Sequence, residues 1–367
     1  ARGNRKNQDK IALAGGIEPF VTLLQSGSDE RAKEEAASAL WALSAQHYEN
    51  QIAVAKAGGI APLVAVLGVG SVRAQEQGAG ALAALGLQNT ENESSIAKLI
   101  VSLLGSDEKK QSAKAARAIS RLASAHPSNQ ASIACAGGVT LLVSLLDIEA
   151  GGVGAAAKAG LDAVLAQEGA SVQREMASAI WSMTFKHTDN QIAVAQAGGI
   201  PPLIKLLDGN PEAHREAAGA LWSLASSADN QAAIAKSGGV PPLVGLLKTG
   251  SQGAQETAAG ALFALAAAYD NRVSIAAAGG ISFLIALFDG GSEEAKEQAS
   301  GALQTLVLNN VPNQLAVSNE AVAMLRNGSS VAQEYVTTLV RNLAQDPDNR
   351  TAIAKAGAVP ELVRQLE

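Results

Sequence analysis

One string governs this chain. Asn-Gln-x-x-Ile/Val-Ala-x-Ala-Gly-Gly-Ile returns, with small variations, along almost its whole length. It begins at Asn7, Asn50, Asn129, Asn190, Asn230, Asn271 and Asn349, and shortened copies start at Asn92 and Asn313. Successive Asn residues lie 43, 42, 37, 61, 40, 41, 42 and 36 apart, so seven of the eight intervals fall between 36 and 43. A period of this size marks an array in which each unit buries its apolar face only against its neighbours. It also explains how 367 residues, more than one compact core normally holds, are divided.

Each part of the unit has a physical reading. The leading Asn is expected to cap a first short helix by accepting backbone N–H bonds. Ala-Gly-Gly ends that helix, because Gly reaches the left-handed region without a Cβ penalty. Ile-x-Pro-Leu then opens a second helix, in which Pro19, Pro62, Pro202, Pro242 and Pro360 lack an N–H where none is needed. Leu63 and Leu67, or Leu203, Leu206 and Leu207, recur at helical spacing. A Gly-Ser turn, as at Gly27-Ser28 or Gly250-Ser251, leads to a longer third helix reading KEEAASALWALSA, HREAAGALWSLAS or QETAAGALFALAA. Three helices per unit and no strand-like alternation predict an all-α solenoid of about eight or nine repeats, forming one domain over 1–367. Hydrophobic residues make up 47% of the chain but aromatics only 3%, which suits thin, Ala- and Leu-rich helices packed closely together.

The units run over 7–49, 50–91, 92–128, 129–149 with an irregular 150–189, 190–229, 230–270, 271–312, 313–348 and a partial 349–367. The copies at Asn92 and Asn313 lack Ala-Gly-Gly, so their first two helices are expected to merge. For the interval of 61, one reading makes 155–167 a degenerate first and second helix and 148–153 a loop, leaving the unit at Asn129 without its own third helix. The other makes 155–167 that third helix, with an extra helix after it.

These residues resemble the armadillo-repeat family over essentially the whole chain. The dense Ala-Gly-Gly-Ile-x-Pro-Leu form is more similar to the vacuolar and plant-type members than to importin-α or β-catenin. The resemblance implies a right-handed α-α superhelix whose third helices line a concave groove for extended peptides. It also implies a groove-side Trp, which packs on peptide side chains, and an Asn four residues later, which bonds the peptide backbone. The Trp position holds Trp41, Trp181, Trp222 and Phe263, with Ala83, Ser120, Gln304 and Arg341 in the other copies. The Asn position holds Ala45, Leu87, Ser124, Phe185, Ser226, Ala267, Leu308 and Gln345, and never Asn. Regular backbone clamping is therefore not expected, which disfavours an importin-like transport adaptor.

In KEEAASALWALSA, Glu34, Ser38, Trp41 and Ala45 form one stripe, while Leu40 and Leu43 face the core. The stripe starts with Glu34, Glu76, Ala113, Arg174, Arg215, Glu256, Glu297 and Glu334 in successive copies, and Arg117 lies near Lys110, Lys114 and Arg121. This pattern predicts a groove acidic towards both ends and basic in the middle. Its candidate binding residues are Trp41, Arg117, Arg174, Trp181, Phe185, Arg215, Trp222 and Phe263, and its expected partner is a protein or peptide with acidic and apolar side chains. The plainer alternative is that repeated Trp residues only pack, and that charges at helix starts are solvated or complement the helix dipole.

Nothing in the sequence calls for catalysis, a metal or a cofactor. His47, His126 and His187 share a register but sit in non-adjacent units, and His214 stands apart. Cys135, the single cysteine, has no base placed by motif to activate it and cannot form an internal disulfide. It fits an intracellular protein, cytoplasmic or nuclear. A net charge of −6 argues against a whole-surface role in nucleic-acid binding, and no run of about 18 apolar residues predicts membrane insertion. The start, ARGNRKNQ, has neither an initiator Met nor an apolar signal region and reads as a cut inside a longer protein. The expected function is a protein-binding scaffold or adaptor. Alternatives are the substrate-recruiting or regulatory part of a ubiquitin ligase or kinase, or a self-associating module; the sequence leaves the oligomeric state open.

Overall fold

The computed structural model describes residues 3–26, 29–106, 109–124, 126–151 and 161–365. Those residues form 24 α-helices and one short 3-10 turn, Pro211–Ala213, with no strand among them. The chain divides into two compact units, Ala1–Gly199 and Ile200–Glu367.

In the first unit the third helices are Glu30–Ser44, Val72–Gly86, Lys109–Ala123 and Leu161–Thr184. Glu30–Ser44 packs on Val72–Gly86, and Lys109–Ala123 packs on Leu161–Thr184. In the second unit His214–Leu224, Gln252–Leu265 and Glu293–Leu306 pack in succession, followed by Ser330–Leu343. Second helices such as Ile60–Val69 and Val240–Thr249 back onto the third helices and bury Leu63, Leu67, Leu243 and Leu247 completely or nearly so. Leu40 and Leu43 are buried as their spacing requires.

The Ala-Gly-Gly turn uses its two glycines for different reasons. Gly58 has φ 78°, and Gly15, Gly137, Gly198, Gly238, Gly279 and Gly357 share its left-handed conformation. Gly59 instead allows a close approach, since a Cβ there would lie 2.7 Å from Val54 Cγ1 and 3.0 Å from the Val54 carbonyl oxygen. Where the turn is missing the helix runs on: Thr90–Leu104 and Val311–Asn327 are each continuous, as expected for the copies at Asn92 and Asn313.

Two expectations are corrected. The leading Asn is not the helix cap. His47 Nδ1, Asn89 Oδ1, His187 Nδ1 and Asn310 Oδ1 accept the capping bonds, and the donors are the backbone N–H groups of Asn50, Asn92, Asn190 and Asn313 themselves. The repeated Asn lies one turn inside the first helix and is buried in every copy but those of exposed Asn7 and half-buried Asn129. Its amide donates to a carbonyl at the end of the preceding third helix: Asn50 to Leu43 at 2.9 Å, Asn92 to Leu85 at 3.0 Å, Asn190 to Met183 at 2.8 Å, Asn313 to Leu306 at 2.9 Å. Helix C-termini leave carbonyls without intrahelical donors, and this amide satisfies one of them.

The second correction concerns the interval of 61. The second helix there, Gly138–Gly151, runs through part of the expected loop, and Leu161–Thr184 is a single third helix of 24 residues. The unit at Asn129 therefore keeps its third helix, lengthened at its start, and no additional helix follows before Thr188–Gln196. Of the segments read as a loop and as a degenerate helix, 152–160 lie outside the described residues.

Candidate protein-binding face

The stripe on the third helices is half-buried in its first copy, where Glu34, Ser38, Trp41 and Ala45 are all intermediate in exposure. What covers it is the next third helix. A Cβ built on Gly80 would lie 2.6 Å from the Trp41 ring, one on Gly260 2.6 Å from the Trp222 ring, and one on Gly301 3.0 Å from the Phe263 ring. In each pair the glycine stands three residues before the aromatic position of the following copy. Each ring thus lies against a glycine notch on the neighbouring helix, and Phe263 remains 38% exposed. The aromatics are packing residues and surface residues at once. Sequence reading missed the glycines, although aligning the copies places Gly opposite each of these three rings.

Where the aromatic is absent, other groups fill the place. Ser120 occupies a Trp position, and its hydroxyl lies 2.9 Å from Ser178 Oγ and 3.0 Å from Ser182 Oγ on the next third helix. Arg117 follows the copy that has Ala83, and its guanidinium donates to the Gly68 carbonyl at 3.3 Å and to Glu175 at 2.8 Å.

Glu175 changes the electrostatics expected of the middle copies. It is buried, and one of its oxygens accepts from both Arg117 at 2.8 Å and Arg174 at 2.9 Å. Burial works to raise its pKa, but the hydrogen bonds and charges of the two guanidinium groups outweigh it and hold the carboxyl below its ordinary value. Two of the three arginines assigned to a basic stretch are therefore bound to an internal carboxylate that bridges Lys109–Ala123 and Leu161–Thr184. Arg215, exposed, runs along the next third helix, with its Cδ 2.8 Å from where a Cβ on Gly253 would stand. At the vacant Asn position Phe185 is 44% exposed, with Lys186 Nζ 5.2 Å from its ring centroid. Glu34, in the acidic first copy, pairs with Arg73 at 3.2 Å.

Among the described residues no group of three or more His, Cys, Asp or Glu side chains could hold a metal ion. His47 and His187 serve as helix caps, and Cys135 is an exposed free thiol. No single described helix is long and apolar enough to cross a membrane.

This architecture is an all-α, armadillo-like repeat solenoid. A model of the Armadillo/beta-catenin-like repeat family matches residues 4–45, 187–226 and 227–267. Among solved structures, an engineered protein from the Northeast Structural Genomics Consortium is similar at 28% identity, with a TM-score of 0.64 over 99% of this chain and 87% of that one. A second engineered protein from the same consortium shares 26% identity, with a TM-score of 0.51 over 79% of this chain and 96% of that one. A designed armadillo repeat protein, 21% identical, matches in fold with a TM-score of 0.54 over 70% of this chain and 99% of that one. No curated protein matches. Three stretches of the chain thus match the armadillo repeat and the whole is similar to armadillo-type solenoids in fold, and none of these matches points to a vacuolar or plant-type subfamily. Armadillo repeats generally bind proteins or peptides and are usually non-catalytic, and no enzyme family is detected.

Proposed function

We propose that the chain is a scaffold or adaptor that holds an extended partner segment against its third helices. One observation carries this reading: four of the eight copies present an aromatic ring on that face, partly buried and flanked by polar and charged groups. Aromatic and arginine side chains set in a partly desolvated surface are the usual anchors of protein recognition. Trp41, Arg117, Arg174, Trp181 and Phe185 are the candidates in the first unit, and Arg215, Trp222 and Phe263 in the second. The Arg117–Glu175–Arg174 contact weakens the case for an acidic partner segment along the first unit, so apolar side chains docking on the rings are the better-supported feature there. The single exposed cysteine supports a reducing, intracellular setting.

The test compares proteins captured from a cell extract by the wild-type chain with those captured by Trp181→Ala and by Trp222→Ala. Partners lost with either substitution, while the melting temperature stays near wild type, support the reading. A set of partners unchanged by both places the working surface elsewhere.

A further inference from the structure

His214 occupies a register in which the other copies place a bonded donor. The position lies one residue before the start of the charged stripe, near the end of the second helix. Gln75 there donates to the Gly70 carbonyl at 2.8 Å, Ser112 to Ser106 at 2.9 Å, Gln255 to Leu247 at 3.1 Å and Gln333 to Leu325 at 3.0 Å. Each acceptor is in or just past the last turn of the helix before it, where carbonyls lack intrahelical donors. Lys33 and Lys296, at the same register, donate instead to Glu30 at 3.0 Å and Glu293 at 2.8 Å, one turn earlier.

His214 breaks this pattern. Its unit enters the third helix through the 3-10 turn Pro211–Ala213, the ring is half-buried, and Nε2 is enclosed with no hydrogen-bond partner. A neutral ring tolerates that place, because an unprotonated Nε2 leaves only an unfilled acceptor. A protonated ring does not, since Nε2–H would be an enclosed donor and its charge would have lost its water. The elements packed on this helix carry Lys205 and Asp208 in Ile200–Gly209, Glu212 in the 3-10 turn, Asp229 and Lys236 in Ala228–Lys236, and Glu256 in Gln252–Leu265; Arg215 and Glu216 follow on its own first turn. Burial holds the His214 pKa below its ordinary value, and it outweighs the charge of Asp208, which bears on the ring and favours the proton.

We propose that His214 is an acid-sensitive joint: on gaining a proton the ring leaves its enclosed place towards Asp208 and water, and the start of His214–Leu224 loosens from Ile200–Gly209. Because the folded-state value is the lower one, the stability supplied by the neutral ring is complete above the unfolded-state pKa and is lost as pH falls through the folded one. Histidine is the side chain whose charge changes most readily in this range. The turn that opens carries Arg215, so acid disturbs one position on the candidate binding face, but the joint itself does not depend on what that face binds.

Hydrogen exchange of the full chain, read by mass spectrometry from about pH 7.5 to about pH 5 and corrected for the intrinsic rate at each pH, tests the joint. Wild type should lose protection in Ile200–Gly209 and the first turns of His214–Leu224 as pH falls, while Glu293–Leu306 keeps it. His214→Gln, which restores the residue that bonds a carbonyl at Gln75, Gln255 and Gln333, should hold protection across the range. Asp208→Asn removes the charge that favours the protonated ring and should move the loss to lower pH, whereas a ring that only fills space would leave that pH unchanged. No loss in wild type, the same loss in wild type and His214→Gln, or an unmoved loss in Asp208→Asn overturns the proposal. If His214→Gln fails to fold, the comparison of wild type with Asp208→Asn decides alone.

Discussion

Gly260 reverses an ordinary rule. In a helix interior Gly→Ala usually stabilises by about 0.5–1 kcal/mol, because Ala loses less backbone entropy. At Gly260 the added methyl would lie 2.6 Å from the Trp222 ring, and overpacking of this kind costs about 1–3 kcal/mol. Gly260→Ala should therefore lower stability in urea denaturation, and in a Trp222→Ala background the same change should become neutral or stabilising. A destabilisation that persists without the ring would show that the notch is not what requires glycine. Glu175 gives a second prediction at this scale. Its carboxyl is held below the usual value, so its contribution is complete above the unfolded-state pKa and is lost as pH falls through the lower folded one. Glu175→Gln should destabilise by about 1–3 kcal/mol at neutral pH, less than for a fully buried pair because both arginines are partly exposed. The gap between variant and wild type should close in acid, which denaturant midpoints measured between neutral pH and pH about 3 would register.

At the scale of the element, the repeated Asn joins helices to one another. The amide of Asn92 donates to Leu85 at 3.0 Å and also to Gln51, in the preceding first helix, at 3.2 Å. Asn313 does the same with Leu306 at 2.9 Å and Arg272 at 3.2 Å. Asn→Ala at either position leaves buried carbonyls without a donor and should cost about 1–3 kcal/mol. The Ser251→Ala change, which removes an ordinary helix cap, should cost about 1 kcal/mol. Thermal denaturation of the three variants checks the order, and a smaller effect at Asn92 and Asn313 than at Ser251 would contradict it. The motif announced itself in the sequence, but its role did not: Asn is both a good cap and a good buried donor, and only the helix start, three residues earlier than the motif implied, decides between them.

Across the molecule, stability in a repeat array is a sum of units and nearest-neighbour interfaces. A lesion at one ring-and-glycine contact should therefore be felt locally. In hydrogen exchange, Gly80→Ala should reduce protection in Glu30–Ser44 and Val72–Gly86 more than in Pro127–Cys135 of the same unit; uniform loss would mean that the unit opens as a single block. The irregular copies matter at this scale too, because the 17-residue helix Val311–Asn327 is followed by a third helix, Ser330–Leu343, that meets Glu293–Leu306 over few residues and borders a cavity of about 610 Å³. The missing Ala-Gly-Gly was legible in the sequence, whereas the opening it leaves depends on how the neighbouring helices settle.

By itself the sequence determined the period, the all-helical class, the left-handed glycines, the merged helices and the aromatic stripe, because each follows from local backbone preference or helical spacing. Only the tertiary structure decided which charges are available to a partner. Arg117 and Arg174 read as a basic stretch until the third helices bring buried Glu175 between them, while Glu256, Glu297 and Glu334 form no ion pair among the described residues. Pairing of charges depends on distance between helices some 40 to 60 residues apart in the chain, and a repeat pattern fixes the register of such residues without fixing what lies across from them.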